Sequence, residues 1–186
     1  MKCEVCGIPV SAGARGRKPK FCGTKCRVKS HRGHHIPVEL RQKPRWIRHR
    51  SKVPITAQGY AASSTNPLTW TDYQTASTAT VGDGLGFVLN GDGIVCIDLD
   101  HCFDGRPNAE AQALIDSLPD TYIEVSPSGS GLHIWAYAAL ERGRRFNRNG
   151  LSVEIYPNGR YLTVTGQAIN RVPFAHIDLD DILAQS

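Results

Sequence analysis

Two aspartates at the end of an apolar stretch are the first sign of chemistry. The stretch GIVCIDLDH, residues 93–101, reaches Asp98 and Asp100 after a run typical of a buried strand. Residues two apart on a strand point to the same face, so the two carboxylates share one side and repel each other. Carboxylate oxygens are ligands that Mg²⁺ and Mn²⁺ prefer. The pair therefore predicts a divalent metal site.

Two further polar residues interrupt apolar strands in the same manner. His133 lies in GLHIWA and Glu154 in LSVEIY, each flanked by aliphatic residues that must face the other way. Each feature alone is more often structural than chemical. Together they predict one solvent-filled site on a sheet, in which the carboxylates of Asp98, Asp100 and Glu154 suit Mg²⁺ or Mn²⁺.

A Gly/Ser turn precedes the histidine and suits phosphate binding. The stretch SPSGSG, residues 126–131, can offer backbone N–H groups and hydroxyls to phosphate oxygens. The predicted phosphate-binding residues are Ser128, Ser130, His133 and Arg160. Arg160 is the weakest of these, because an arginine beside a turn can simply be solvated.

Four cysteines near the N-terminus have the spacing of a structural zinc site. They form a C-x2-C…C-x3-C pattern with 15 residues between the pairs: Cys3, Cys6, Cys22 and Cys26. Four thiolates leave no open position on Zn²⁺, so the metal would hold this small segment together without doing chemistry. The alternatives are four free thiols, or a nearby histidine as a replacement ligand: His31, His34 or His35.

The charge divides the chain into a basic arm and an acidic body. Residues 1–52 hold 15 Lys/Arg and 2 acidic residues, a balance of +13; residues 53–186 hold 7 and 15, a balance of −8. A basic arm favours nucleic acid through counterion release. The predicted DNA-binding residues are Arg15, Arg17, Lys18, Lys20, Arg27, Lys29 and Arg32. A solvated tail or a protein-contacting module are the alternatives.

Composition excludes several protein classes. The 186 residues are 40% hydrophobic, enough for a core, and no run of 18 apolar residues could span a membrane. The start MKCEVCG lacks the pattern of a secretory signal, so we expect a cytoplasmic protein without disulfides. Cys96 is expected to be a small buried residue.

The elements that must position these residues follow from periodicity and turn signals. Two short extended pieces open the body, and a helix is expected to begin within NPLTWTDYQTA. A longer helix is predicted over NAEAQALIDSL, residues 108–118. Strands are predicted for LGFVLN, GIVCIDLD, TYIEVSP and GLHIWAYA. LSVEIY and RYLTVTG are expected to form a hairpin across PNG, and IDLDDILAQ a short terminal helix.

These elements predict an α+β fold around a mostly antiparallel sheet, with a core like that of an RNA-recognition motif. The predicted domains are a zinc-finger basic arm at 1–35 and a catalytic domain at 36–186. No internal repeat is present.

Three stretches in order resemble the motifs of the archaeo-eukaryotic primase superfamily, and most closely its phage and plasmid bifunctional primase-polymerase domains. They are GLGFVLNGDGIVCIDLDHC, SPSGSGLHIW and EIYPNGRYLTVTG, and the resemblance covers roughly residues 44–170. The arm resembles short zinc fingers that precede catalytic domains in some phage proteins. The resemblance implies a primase-polymerase fold, metal binding by Asp98, Asp100 and Glu154, and contact of His133 with nucleotide phosphates.

The activity implied is primer synthesis on a single-stranded DNA template from nucleoside triphosphates, in phage or plasmid replication. No G-x-x-x-x-G-K-[ST] motif is present, so a separate replicative helicase is the expected partner. A phage-encoded protein of this kind would act in the host cytoplasm. The alternative is a non-catalytic zinc-finger DNA-binding replication factor that recruits partners. A nicking endonuclease is disfavoured, because HIW lacks the second histidine of a His-hydrophobe-His site.

Overall fold

The computed structural model describes residues 9–10, 22–24 and 35–184. The chain divides into two units, residues 1–35 and 36–186, and almost all described residues belong to the second. Within the described part, no helix has the length and apolar character needed to cross a membrane.

The second unit is built from short strands with a few short helices. In chain order the elements are α1 (Val38–Arg41), β1 (Trp46–Arg50), β2 (Val53–Ile55), a 3-10 turn (Pro67–Thr69), α2 (Tyr73–Thr78), β3 (Gly84–Asn90), β4 (Ile94–Asp100), α3 (Ala109–Asp116), β5 (Tyr122–Val125), β6 (Leu132–Tyr137), β7 (Arg144–Arg148), β8 (Leu151–Tyr156), β9 (Asn158–Val164), β10 (Ala168–Asn170) and α4 (Asp180–Leu183).

The strands form two antiparallel sheets. One has the order β2-β1-β3-β9 and the other β10-β5-β6-β4-β8-β7. In the larger sheet β4 lies between β6 and β8, and β6 separates β4 from β5, the strand that follows α3. This is a split β-α-β arrangement in an antiparallel sheet. The α+β fold class predicted from the sequence is confirmed, and β4 is placed at the centre of the sheet.

Two apolar cores lie on opposite faces of the larger sheet. On one face, alternate residues of β4 such as Val95 and Ile97 pack with α3 and the C-terminal segment. On the other face, Ile94 and Cys96 pack with Trp46 and Phe87 of the smaller sheet. Burial of both faces explains why the central strands are almost continuously apolar.

Side-chain caps mark the start of the two longest helices in the described part of the chain. The Asn108 side chain accepts a hydrogen bond from the Ala111 N–H and caps α3, and Asp72 caps α2 through the Thr75 N–H. α3 lies within its predicted segment 108–118, and α2 begins within NPLTWTDYQTA as expected. The sequence analysis did not anticipate β7 and β10, which are the two edge strands of the larger sheet.

The expected hairpin of LSVEIY with RYLTVTG is wrong. These segments are β8 and β9, which lie in different sheets and are separated by Pro157 alone. Pro157 has no N–H to donate to a ladder, and its carbonyl accepts from the Gly91 N–H instead. The chain therefore crosses from one sheet to the other at this proline, and β9 pairs with β3.

Candidate active site

Antiparallel register places the polar residues of three strands side by side. Asp98 on β4 is paired with His133 on β6 and with Glu154 on β8. His133 Nε2 lies 3.6 Å from Asp98 Oδ1. As the alternation predicted, these side chains point away from the aliphatic residues that face α3.

These residues line a cleft of about 530 Å³ at the end of the apolar layer between the sheets. Ile94 and Cys96 fill that layer, and Asp98 and Asp100 continue on the same face of β4 where the layer ends. The cleft brings together six of the residues singled out from the sequence: Asp98, Asp100, Ser128, His133, Glu154 and Arg160.

Ser130, the seventh, is not on the cleft wall but supports it. Its hydroxyl lies 3.0 Å from that of Ser128, which lies 3.0 Å from that of Ser126. The turn is held against β4, because the Ser130 carbonyl accepts from the Cys102 N–H at 2.8 Å. A Cβ at Gly131 would lie 2.5 Å from the Leu99 carbonyl oxygen, so only glycine permits this approach.

Burial and like-charge repulsion both disfavour the ionised form of Asp98. Burial raises the pKa of Asp98 above its ordinary value, and the charges of Asp100 and Glu154 add to that rise. His133 and Lys52 act in the opposite direction but do not cancel it. The positive charge near Asp98 therefore does not offset the cost of ionising this buried carboxylate. A bound cation would reduce that cost.

Glu154 already has two partners. Its Oε1 lies 2.8 Å from Nε of Arg145, whose side chain is 74% exposed, and its Oε2 accepts from the Tyr156 hydroxyl at 2.5 Å. Burial and this hydrogen bond raise the pKa of Tyr156. The Arg160 guanidinium lies 4.6 Å from the centre of the Tyr156 ring, which fixes an arginine over the cleft.

A buried carboxylate that the sequence analysis missed stands behind the histidine. Glu124 on β5 has no exposed surface, and its Oε1 lies 3.3 Å from His133 Nδ1. It also accepts hydrogen bonds from four other donors: the Tyr122 hydroxyl, Trp135 Nε1 and the backbone N–H groups of Thr165 and Gly166. Glu124 could have been found by the rule that identified Glu154, since it interrupts YIEV in the same way.

Glu124 governs the charge and orientation of His133. Burial alone would lower the pKa of His133, but the hydrogen bond and charge of Glu124, joined by the charge of Asp98, outweigh it and raise that pKa. A carboxylate can only accept, so Nδ1 is the donor to Glu124 and Nε2 faces Asp98. Nε2 therefore faces the cleft, and it carries a proton for a ligand when the ring is protonated, a form that the raised pKa of His133 favours.

The donor chemistry of the cleft fits Mg²⁺ or Mn²⁺. Asp98 and Asp100 offer carboxylate oxygens on one face, and their mutual repulsion is what a cation would relieve. No group of three or more His, Cys, Asp or Glu side chains within the described ranges is already gathered as a metal cage. Glu154 lines the same cleft, and its two oxygens contact Arg145 and Tyr156.

The predicted zinc site and basic arm fall largely outside the described residues. Of the four cysteines only Cys22 is described, and it is exposed. The remainder lie outside the described ranges: Cys3, Cys6, Cys26, Arg15, Arg17, Lys18, Lys20, Arg27, Lys29 and Arg32.

Comparison with known proteins shows the family to which this chain belongs. Residues 17–179 match the family model described as "Bifunctional DNA primase/polymerase, N-terminal". The match begins inside the segment that the sequence analysis assigned to the arm. The "DNA Primase-polymerase" of Nitratiruptor phage NrS-1 is 36% identical over 137 residues, which are 67% of this chain and 19% of the relative. This chain thus spans 19% of the length of that relative.

Proposed function

Because this chain belongs to the family of bifunctional DNA primase/polymerase N-terminal domains, we propose that it synthesises and extends primers on single-stranded DNA from nucleoside triphosphates. The observation that carries the proposal is the single row of Asp98, His133 and Glu154 across three adjacent strands of one cleft. Such a row offers carboxylate ligands for a cation and a hydrogen-bond donor for phosphate, close enough to act on one nucleotide.

We assign the metal-binding role to Asp98, Asp100 and Glu154. Divalent ions held there would supply activation of the attacking 3′-hydroxyl and neutralisation of the leaving pyrophosphate. Glu154 would join the set by giving up its contact with the exposed Arg145, a surface ion pair of small energy.

We assign phosphate binding to His133, Ser128, Ser130 and Arg160. In its protonated form His133 would donate from Nε2 to a phosphate in the cleft, while its Nδ1 donates to Glu124. Arg160 is placed over Tyr156 on the same wall, where its guanidinium can form paired hydrogen bonds with phosphate oxygens. The serine turn adds hydroxyl donors.

The arm completes the proposal. Its four cysteines would bind structural Zn²⁺, and its basic residues would add affinity for the DNA strand by neutralising phosphates. A replicative helicase is the natural source of single-stranded template, and the setting would be phage replication in the host cytoplasm.

The test is primer synthesis without a primer. The full chain is incubated with single-stranded DNA, Mn²⁺ or Mg²⁺, and labelled ribo- and deoxyribonucleotides. Labelled oligomers made by the wild type, and not by an Asp98→Asn, Asp100→Asn double variant, support the proposal. DNA binding without any incorporation in either metal would overturn it in favour of the non-catalytic replication factor.

A further inference from the structure

Positive charge in the acidic body is concentrated on one edge of the larger sheet. Residues 53–186 contain seven basic residues, all arginines, and four of them lie in the stretch 142–148. Three of the four are exposed and are called here the arginine edge: Arg142, Arg144 and Arg145. Arg148 is half-buried beside α3.

The arginine edge adjoins the cleft. β7 is paired with β8 on one side only, and it is the outermost strand of the described sheet next to the site. Arg145 is paired with Glu154, which is paired with Asp98. Two strand spacings separate β7 from β4, so the edge runs about 10 Å from the aspartates.

Two of the three edge arginines form no ion pair within the described residues. Within residues 35–184, Arg145 contacts Glu154, whereas Arg142 and Arg144 have no ion pair. Charged residues do protect exposed edges from strand pairing. Lysine or glutamate would serve that end equally, whereas arginine alone presents a planar fork that matches phosphate oxygens.

The partner chemistry follows from the charges around the edge. Without the arginine edge, residues 53–186 hold 4 basic and 15 acidic residues, a balance of −11, and would repel a polyanion. A DNA strand that reaches the cleft therefore meets attraction at β7. We propose that the arginine edge binds the phosphates of the single-stranded DNA beside the cleft. The direction of this strand toward the aspartates rests on the proposed function; the binding itself does not.

The test measures binding to a labelled single-stranded deoxythymidine oligonucleotide by fluorescence anisotropy over a NaCl series. The full chain is used, without nucleotide or divalent metal. Arg142→Ala with Arg144→Ala should weaken binding and make the slope of log K against log [NaCl] shallower by about 1.4, since each lost phosphate contact removes about 0.7. Arg142→Lys with Arg144→Lys should keep most of the slope.

Arg106→Ala with Arg171→Ala is the matched control. Both arginines are exposed, and Arg171 follows β10 at the opposite edge of the same sheet. An unchanged slope in the edge variant, or an equal change in the control, would overturn the inference. So would a raised nucleotide KM with unchanged DNA affinity, which would move the edge to the nucleotide. If no variant and no wild-type protein incorporates nucleotides but the slopes differ as expected, the proposed activity fails and this inference stands.

Discussion

His133 Nδ1 lies 3.3 Å from Oε1 of Glu124, a carboxylate with no exposed surface. The contact fixes which ring nitrogen donates backwards into the protein and which faces the cleft. It continues a row of paired residues that crosses five strands in the order Arg145, Glu154, Asp98, His133 and Glu124. Charge alternates along this row when His133 is protonated, apart from the adjacent pair Glu154 and Asp98. That pair of like charges marks where a cation belongs.

Glu124 should position His133 without touching substrate. Glu124→Gln keeps the size of the side chain but removes its charge and one of its acceptor oxygens, so we expect the nucleotide KM to rise about tenfold with a smaller change in kcat. The lost acceptor should lower the free energy of unfolding by about 1–3 kcal/mol. Steady-state incorporation kinetics and thermal melting give both values.

The control for this variant is Glu110→Gln, which changes an exposed glutamate on α3. It should leave the nucleotide KM and the melting temperature unchanged. If Glu124→Gln loses stability while its nucleotide KM equals that of the wild type, Glu124 is structural only and has no positioning role.

Alternation along strands could be read from the sequence, whereas the choice of sheet could not. Because side chains alternate between the two faces of a strand, the sequence predicts the faces that Asp98, His133 and Glu154 occupy. Each is flanked by aliphatic residues that need burial. The same local rule cannot separate a hairpin turn from a corner at Pro157, since the outcome depends on the pairing of β9 with the distant β3. The same alternation rule also applies to Glu124, the one charged residue in an otherwise apolar strand, which the sequence analysis did not single out.

The serine turn should depend on Gly131. Gly131→Ala places a Cβ 2.5 Å from the Leu99 carbonyl oxygen, and the turn must shift away from β4. We expect a loss of about 1–3 kcal/mol in the free energy of unfolding, as for other overpacked sites, and a raised nucleotide KM. Chemical denaturation and kinetics measure the two effects.

Gly129→Asn tests whether the effect is specific to that close approach. Gly129 has φ +78° with open space around it, and asparagine tolerates this backbone conformation. The variant should retain most stability and nucleotide affinity. Equal losses in both variants would mean that the turn tolerates no change at all, and the Leu99 contact would not be the cause.

Zinc content should follow the N-terminal cysteines. Cys3→Ser with Cys22→Ser should abolish the one zinc per chain that the paired spacing predicts, because two of four thiolate ligands are lost. Elemental analysis of purified protein is the measurement. Cys96→Ala is the control, since that thiol is fully buried in the core between the sheets and should leave zinc unchanged. Zinc retained by the double variant would contradict the assignment.

The aspartate pair should be essential to synthesis yet dispensable for folding. Asp98→Asn removes a charge that burial, and then Asp100 and Glu154, disfavour, so the metal-free protein should melt at the same temperature as the wild type or higher. Incorporation should fall by more than about 100-fold, because an amide is a poor replacement for a carboxylate ligand. Mn²⁺ should raise the melting temperature of the wild type but not of this variant. Asp116→Asn, at the exposed end of α3, should match the wild type in both assays. A folded Asp98→Asn variant that polymerises at near wild-type rates would mean that the row through Asp98 is structural.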